Sequence, residues 1–537
     1  MMKKTVLLMA SLVLTLMPFF TGCSRAKGGA SERSEGDVAT TTSLDSYPIK
    51  TDVTLTYWGE LSGSVAANYT NLGETPYGKA WIEKTGVKVE FLHPPAGGAN
   101  EQFNLLVASG DMPDIMDRDW LNLYPGGPEK AINDSVILKL NDIIDKYSPN
   151  LKQVLDSHPD WARMVKTDNG NYYGYPFIRG NEKLCIWHGP YVRKDWLEEL
   201  NMEVPQTFDE WHEMLTVFKE KKRSPAPMVM MITNNDFLLG YGIDRAFFVG
   251  DDGKVHWGSM EDAFRDYLTM MARWYKEGLL DPDIATLTSQ QISAKVTGNI
   301  SGATRGSLGG SLGTWTNSAR ATNPKFELTA VPYPVKKKGD KPKLINVDNL
   351  YTGGFSAGIT TSCENPDIAA RLLDYNYGEE GYIFNNFGIE GVSYTMVNGR
   401  PIYTDFIMKN PNGWSVAQSI ASHARSAYGG PFIQDLGYFE QYMALPEQKA
   451  GPDIWKIDAP YKHKLPPITP TPEESREFAR IMSEVNTYAD EMMVKFILGT
   501  EAITDASWNA YVNTIKRMGI ARAVEIQNAA LARYNAR

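Results

Sequence analysis

An α/β protein with two lobes and a helical C-terminal region is the fold that the sequence predicts, and two patterns lead to it. Strand and helix patterns alternate from residue 53: VTLTYW alternates apolar and polar residues as a strand does, and TPYGKAWIEKTGVKVEFL continues with a helix, a helix stop at Gly86 and a second strand. Such β–α–β alternation favours a largely parallel sheet with helices packed on it. The alternation returns after residue 170, and the segment from Pro472 to Arg537 has an almost continuous helical pattern.

The individual elements follow from the same patterns and from their end signals. In NEQFNLLVASGDMPDIMDRD, a helix ends at Ser109-Gly110 and a short buried strand follows. LNDIIDKYSPNLKQVLDSHPDWARMVK, residues 140–166, is expected to form an amphipathic helix. TFDE, residues 207–210, predicts a capping box at a helix start. MEDAFRDYLTMMARWYKEG predicts a long amphipathic helix that ends at Gly278.

Length and composition allow large cores and argue against a nucleic-acid partner. The chain has 537 residues, of which 42% are hydrophobic, enough for two large domains. Its 54 basic and 64 acidic residues give a net charge of −10, whereas a nucleic-acid-binding surface needs clustered Lys and Arg in excess. Besides Cys23 there are Cys185 and Cys363; two buried thiols are the favoured interpretation, and a disulfide between them is the alternative.

The first residues carry signals of secretion and of lipid attachment. A positively charged start and an apolar run, residues 5–20, are followed by small residues and then by Cys23. This pattern predicts a signal peptide, residues 1–22; a transmembrane helix is the alternative, but about 16 apolar residues fall short of the roughly 20 that a bilayer requires. FTGC resembles the lipobox of bacterial lipoproteins, which implies two or three acyl chains, such as palmitate, on Cys23. The polar segment that follows, residues 24–46, predicts a disordered tether.

No motif gives a clear catalytic signature. GGSLG, residues 309–313, makes Ser311 a nucleophile candidate, but its polar, glycine-rich flanks favour a turn-rich loop over the strand and helix of a nucleophile elbow. The seven histidines are scattered, and neither a Walker A nor a GxGxxG motif follows a strand, so no metal or other cofactor is expected. Among 64 acidic residues, a glycosidase pair can be neither proposed nor rejected.

Aromatic side chains in polar loops indicate a ligand with both apolar faces and hydroxyl groups. Trp58 lies at the end of the first strand, Tyr173 and Tyr175 lie in a turn, and Trp315 follows a glycine-rich loop. Sugar rings pack their apolar faces on aromatic rings, and their hydroxyls need polar side chains nearby. For any single aromatic residue, a place in a core is at least as good an interpretation. As a set, aromatic residues at strand ends favour a cleft at the carboxyl ends of the strands.

The mature chain resembles the extracellular solute-binding lipoproteins of ABC importers, and within them the long oligosaccharide-binding branch that includes alginate-oligosaccharide binders. Segments that carry the resemblance are LVASGDMPDIM, YVRKDWLEELNMEVPQTFDEWHEML, YKEGLLDPD and NFGIEGVSY. The resemblance implies a type II periplasmic-binding-protein-like fold with two hinge-linked lobes, an importer permease as partner, a monomer and no catalysis. The domains expected on this basis are a signal peptide (1–22), a lipid anchor and tether (23–49), lobe 1 (50–178 and 345–412), and lobe 2 (179–344 and 413–537) with the C-terminal helices.

The resemblance also places a set of loop residues at the cleft between the lobes. These residues combine aromatic rings with charged or amide groups that suit a sugar. The ligand-binding residues expected on this basis are Trp58, Glu60, Asp119, Tyr173, Tyr175, Arg305, Trp315, Asn349, Tyr351, Glu390, Tyr394 and Trp414.

One segment departs from the family. Many relatives carry a calcium loop after the helix that corresponds to TFDEWHEML, and here that stretch is FKEKKRSPAPM, residues 218–228. Lysine, arginine and proline replace the carboxylates, and cations do not coordinate Ca²⁺. No calcium is therefore expected at this position.

The hypothesis from the sequence is a lipid-anchored protein on the extracytoplasmic face of the cell membrane that captures an oligosaccharide and delivers it to an ABC permease. A secreted lipoprotein glycoside hydrolase and a ligand sensor for a membrane kinase are the alternatives. The acidic body disfavours strongly anionic ligands, although a basic pocket of Arg118, Arg305 and Arg425 would reverse this preference.

Overall fold

A computed structural model describes residues 44–352 and 356–537 of the chain. The predicted signal peptide, Cys23 and most of the tether lie outside these residues. The strands are β1 (Thr54–Gly59), β2 (Lys88–Leu92), β3 (Ile115–Arg118), β4 (Tyr175–Pro176), β5 (Ile178–Arg179), β6 (His188–Arg193), β7 (Met228–Val229), β8 (Phe247–Val249), β9 (Val255–Trp257), β10 (Ala303–Ser307), β11 (Leu328–Ala330), β12 (Ser356–Ile359), β13 (Tyr394–Val397), β14 (Arg400–Tyr403) and β15 (Ile433–Gln434).

Helices separate most of these strands and make up the last part of the chain. They are α1 (Gly63–Ala66), α2 (Pro76–Thr85), α3 (Ala99–Ser109), α4 (Gly127–Asn133), α5 (Asn141–Tyr147), α6 (Pro149–Ser157), α7 (Pro159–Met164), α8 (Lys194–Leu200), α9 (Phe208–Lys221), α10 (Asp236–Leu239), α11 (Asp262–Lys276), α12 (Ser289–Thr297), α13 (Thr314–Arg320), α14 (Pro366–Asp374), α15 (Glu379–Phe387), α16 (Asp405–Met408), α17 (Val416–His423), α18 (Leu436–Tyr442), α19 (Pro446–Trp455), α20 (Pro472–Leu498), α21 (Asp505–Arg517) and α22 (Ile520–Ala536).

The first sheet has the strand order β2-β1-β3-β12-β4. β1 pairs in parallel with β2 and with β3, and α2 and α3 connect these strands, as the sequence predicts. β12 runs antiparallel to both β3 and β4, so it alone opposes the direction of the other strands. The end signals hold as well, since Gly86 closes α2 in the left-handed region at φ 76°.

The second sheet has the order β11-β6-β10-β7. β6 is antiparallel to β10 and to β11, while β7 is parallel to β10. The predicted capping box opens α9: the Thr207 side chain accepts from the Glu210 amide, and the Glu210 carboxylate accepts from the Thr207 amide.

Two hydrophobic cores correspond to the two sheets. The first is built mainly from residues 49–178 and 351–384, and the second from residues 184–347 and 387–523. The chain therefore passes between the cores several times, and β5 pairs in parallel with β15 at one of these passages. The domain boundaries expected from the sequence stay a prediction, and residues 394–407 contribute to the second core.

The expected single helix over residues 140–166 is wrong, because the structure has three helices, α5, α6 and α7, in that stretch. Each break lies at a residue that precedes a proline: Ser148 has φ −129° and ψ 62°, and His158 has φ −131° and ψ 78°. Proline disfavours the helical region for the residue before it, so each proline ends one helix and begins the next.

The helical C-terminal region is confirmed in α20, α21 and α22. A polar contact ties α22 to the first half of the chain, because the Arg537 guanidinium donates to the Asp168 carboxylate (2.5 Å) and to the Lys166 carbonyl (2.5 Å). Cys185 and Cys363 are both free and buried, which confirms the interpretation as two thiols. Among the residues that the structure describes, no helix is both long enough and apolar enough to span a membrane.

Candidate functional site

A cavity of about 410 Å³ lies where segments that belong to the two cores meet. Ser64, just after β1, reaches it from one side, and Leu308 and Met443 reach it from the second core. Its volume is within the range of about 300–1,000 Å³ that is typical of small-molecule sites. Six aromatic residues line it: Phe177, Trp187, Tyr428, Tyr438, Phe439 and Tyr442.

The aromatic rings of the cavity are held by other rings. Phe177 packs against Phe432 with ring centroids 5.2 Å apart, and Trp187 stacks on His188 at 4.2 Å. Tyr438 and Tyr442, one turn apart on α18, stack at 5.7 Å with their planes 12° apart. Rings fixed in this way offer flat apolar faces at little further cost in side-chain entropy.

A glycine-rich segment closes another side of the cavity. β10 ends at Ser307, and a π-helical turn, Leu308–Gly313, leads directly into α13. A side chain at Gly309 would place its Cβ only 2.8 Å from the Tyr442 ring, so glycine lets the backbone approach that ring. The Leu308 amide donates to the Trp187 carbonyl (2.9 Å), which links the turn to the aromatic wall.

The sequence favoured a turn-rich loop around GGSLG over a strand and a helix; this is wrong for the flanks, since a strand precedes Ser311 and a helix follows it. The sequence did not predict this strand, because Thr304 and Gly306 are not apolar. β10 is nevertheless buried, because it pairs with β6 on one side and with β7 on the other. Ser311 nevertheless lacks a catalytic partner within the described residues: its Oγ faces the Ser307 Oγ at 3.4 Å, and no histidine bonds it.

Arg179 is the one lining residue with a basic side chain. Its guanidinium donates to the Asp348 carboxylate (3.1 Å) and to the Gln434 side-chain carbonyl (3.2 Å). Asp348 also accepts from the Trp187 indole N–H (2.7 Å). The Arg179 amide donates to the Leu350 carbonyl (2.9 Å), so Arg179 connects three separate segments at the passage between the cores.

A buried charge network lies behind Tyr428. The Arg425 guanidinium donates to the Asp117 carboxylate (3.2 Å) and to the Tyr57 hydroxyl (3.3 Å), and Tyr57 donates to the same carboxylate (2.7 Å). Arg425 also lies over the Tyr428 ring, 5.4 Å from its centroid. Burial raises the pKa of Tyr428 to about 12, so its phenol is neutral at physiological pH. Gly430 leaves room for this network, since a Cβ there would lie 2.3 Å from the Arg425 guanidinium carbon.

The chemistry of hydrolysis and of metal binding has little support in the described part of the chain. None of the cavity's lining residues is Asp or Glu, whereas a glycosidase needs two carboxyl groups beside the scissile bond. No group of three or more His, Cys, Asp or Glu side chains there could hold a metal ion. In the segment expected to lack calcium, Lys222 pairs with Glu199 and the Ser224 hydroxyl donates to the Ile300 carbonyl (2.5 Å).

Six of the twelve expected ligand-binding residues have side chains buried in the cores, and five of these six lie away from the cavity. Trp58 donates to the Gln102 side-chain carbonyl (2.9 Å), and the Tyr173 and Tyr351 hydroxyls bond each other (2.7 Å). The Tyr175 hydroxyl bonds Ser148 at 2.5 Å. The five residues, none more than 7% exposed, are Trp58, Tyr173, Tyr175, Tyr351 and Tyr394.

Four of the expected residues use their polar groups within the protein. Glu60 accepts from Arg118 (2.9 Å) at the carboxyl ends of β1 and β3, and Asp119 accepts from the Asn122 amide (2.9 Å). Arg305 donates to the buried Asp236 carboxylate (2.9 Å). The Asn349 amide group donates to the Leu465 carbonyl (3.0 Å).

The last three expected residues lie in different places. Trp315, the sixth buried residue, is 8% exposed in the second core and follows the glycine-rich turn of the cavity. Trp414 is half-buried and meets Tyr69 edge-on at 6.1 Å, while Glu390 is exposed. None of the twelve lines the cavity itself, although Arg305 and Trp315 flank the segment that does. Their ligand contacts stay a prediction.

Sequence reasoning missed most of the aromatic wall. Tyr438 and Tyr442 are spaced as a core-facing helical stripe, which gives no sign of a cavity. Trp187 follows a buried apolar stretch, LCI, and has no polar loop around it. Arg179 offered one signal, because it is a charged residue at the end of the short strand β5, directly after the apolar residues Phe177 and Ile178.

Comparison with known proteins agrees with this architecture. A family model described as bacterial extracellular solute-binding protein matches residues 67–383. The fructooligosaccharide ABC transporter substrate-binding protein FusA of Streptococcus pneumoniae is 24% identical over 494 residues, which cover 84% of this chain and 86% of FusA. Lipoprotein LipO of Bacillus subtilis is 24% identical over 349 residues, which cover 61% of this chain and 65% of LipO.

Solved structures show the same fold. The alginate-binding protein AlgQ2 without calcium ion matches with a TM-score of 0.74 and 25% identity, covering 92% of this chain and 100% of that one. FusA in complex with kestose matches with a TM-score of 0.72 and 21% identity, covering 90% and 100%. The predicted two-lobe fold is confirmed by these matches. The chain thus belongs to the family of bacterial extracellular solute-binding proteins, and it is a binding protein rather than an enzyme.

Proposed function

We propose that the mature chain captures an oligosaccharide in the cavity between the two cores and delivers it to the permease of an ABC importer. The observation that carries the proposal is the wall of six aromatic rings beside hydroxyl and backbone amide groups, including Ser64, Ser307 and Gly310. Aromatic faces suit the apolar faces of sugar rings, and the polar groups suit their hydroxyls. FusA, whose name states a fructooligosaccharide ligand, supports this ligand class over nearly the whole chain.

The same proposal includes a lipid anchor. Cys23 carries the acyl chains, and residues 24–46 hold the folded body away from the extracytoplasmic face of the membrane. The similarity to a lipoprotein, LipO, supports the anchor.

The proposed oligomeric state is a monomer, because a carrier that docks on a permease requires only one copy of the chain.

A thermal-shift screen of residues 24–537 against mono- and oligosaccharides tests the ligand class. A ligand at 100 times its Kd stabilises the protein by about 2.7 kcal/mol, which corresponds to a rise in Tm of about 2–3 °C for a chain of this length. A response to at least one oligosaccharide series, followed by a calorimetric Kd, is expected. A response to peptides with none to sugars would overturn the ligand class and leave the fold unchanged.

The anchor is tested on the full chain expressed in a bacterium. We expect the protein in the membrane fraction, with a mass increase that corresponds to acylation of a chain beginning at Cys23. Cys23→Ala should release the protein from the membrane, whereas the neighbouring Ser24→Ala should not. Release of both variants, or of neither, would contradict a lipid on Cys23.

A further inference from the structure

We infer that the ligand of this cavity is an uncharged oligosaccharide rather than a uronate or another acidic sugar. The inference rests on the proposed function and narrows it to one class of sugar. It comes from the way in which the basic groups in and around the cavity are paired.

The cavity itself offers an acidic sugar no free cation. Arg179 is the one lysine or arginine among the lining residues, and Asp348 neutralises its charge at 3.1 Å. Gln434 occupies a second nitrogen of the guanidinium. The Arg179 Nε has no partner, but it is buried and therefore not exposed to a ligand. Both terminal nitrogens of this arginine therefore already have a partner within the protein, and its positive charge is balanced by Asp348.

The other three arginines that border the region are also paired with carboxylates. Arg305 donates to Asp236 at 2.9 Å, and the Asp236 side chain is fully buried. Arg425 pairs with Asp117 at 3.2 Å, and both side chains are at most 7% exposed. The basic pocket that would attract an anion is therefore absent from this part of the structure.

Arg118, the third of these arginines, is also paired with a carboxylate, at the carboxyl ends of β1 and β3. Arg118 pairs with Glu60 at 2.9 Å and also donates to the Asn100 side chain. Its side chain is 3% exposed, whereas that of Glu60 is 61% exposed, so the charge presented to solvent there is negative.

The electrostatic free energy of binding then favours neutral sugars over acidic ones in this cavity. A carboxylate that enters the cavity loses water and gains no unpaired cation, and it approaches Asp348 with like charge. The hydroxyl groups of a neutral sugar lose less on desolvation and find neutral partners, such as Ser307 and the phenol of Tyr442. The net charge of −10 adds a repulsive long-range field for anions.

Matched pairs of sugars test the inference on residues 24–537. Calorimetric titrations would compare β-1,4-mannotriose with β-1,4-trimannuronate, and methyl-esterified with free trigalacturonate, alongside kestose, maltotriose and cellotriose. We expect at least one neutral oligosaccharide to bind, and each acid to bind at least tenfold more weakly than its neutral counterpart wherever that counterpart binds. An acid that binds as tightly as its neutral counterpart, or more tightly, would overturn the inference while the proposed function stands. No binding of either class would overturn the proposed function itself.

Asp348→Asn tests the cause directly. The change leaves Arg179 with an uncompensated charge, so we expect the preference for the neutral member of each pair to fall at least tenfold. Asp340→Asn, at an exposed carboxylate away from the cavity lining, is the matched control and should leave the preference unchanged. An unchanged preference in a folded Asp348→Asn variant would show that Asp348 does not exclude acidic sugars. If that variant does not fold, the matched pairs on the unaltered chain decide alone.

Discussion

Replacing Trp58 by alanine distinguishes a residue of the core from a residue that contacts ligand. The Trp58 side chain is 1% exposed, its indole N–H donates to the Gln102 side chain (2.9 Å), and its ring lies 6.2 Å from that of Phe103. Truncating a buried tryptophan to alanine removes its packing and leaves a cavity, at a cost of about 3–5 kcal/mol. Because Gln102 is only half-buried, its carbonyl can be rehydrated, and the lost hydrogen bond adds little.

The expected result is lower stability with unchanged affinity. A loss of about 4 kcal/mol lowers the Tm by about 4 °C if the whole chain unfolds in one transition. The Kd for a bound oligosaccharide, measured by calorimetry well below that Tm, should stay within about twofold of the unaltered value.

Trp187→Ala is the comparison variant, because Trp187 lines the cavity and is half-buried. We expect it to weaken oligosaccharide binding by about 1–3 kcal/mol, or about 5- to 150-fold. The reasoning would be refuted if Trp58→Ala weakened binding tenfold or more at unchanged Tm, since Trp58 would then contact the sugar as the sequence suggested.

Three further predictions concern other parts of the chain. Calcium should not change the Tm relative to a chelator control, because Glu220 is the one carboxylate in residues 218–228 and a calcium site needs several oxygen ligands; a rise of several degrees would contradict this. Burial raises the pKa of Cys185 to about 11 and that of Cys363 to about 12, so at pH 8 both thiols should be protonated and unreactive toward a thiol reagent until the chain is unfolded. Rapid labelling of the native protein would show that one of them is accessible. Arg537→Ala should lower the free energy of unfolding by about 1.5–3 kcal/mol, because its side chain is 4% exposed and bonds a carboxylate, whereas the exposed Arg517→Ala should change it by less than about 0.5 kcal/mol. Equal effects of the two would exclude a stabilising role for the contact.

Local signals predicted the elements well where the signal lies within one segment. The Thr207–Glu210 capping box and the left-handed Gly86 depend only on neighbouring residues, and both are present. The prediction of a single helix over residues 140–166 was wrong because it gave apolar periodicity more weight than the two internal prolines. Each proline restricts the backbone of the residue before it. The strand before Ser311 was not predicted, because its burial depends on the neighbouring strands of the sheet and leaves no apolar pattern in its own sequence.

The candidate site was harder to predict, for two physical reasons. β1 lies inside a sheet that has helices on it, so both Tyr57 and Trp58 are buried, and an aromatic residue at its end need not face a cleft. The cavity, in turn, is assembled from segments far apart in sequence, such as Trp187 and Tyr442. Nothing within either segment distinguishes a ring that lines a cavity from one that fills a core.

A crystal structure of residues 24–537 with the tightest-binding oligosaccharide of the panel would test the central claim most directly. The account predicts sugar rings against Trp187 and Tyr442, with hydroxyl groups near the turn Leu308–Gly313 and the Arg179–Asp348 pair intact. A sugar bound elsewhere, for example at the edge of the first sheet near Glu60, would contradict the assignment of this cavity as the binding site.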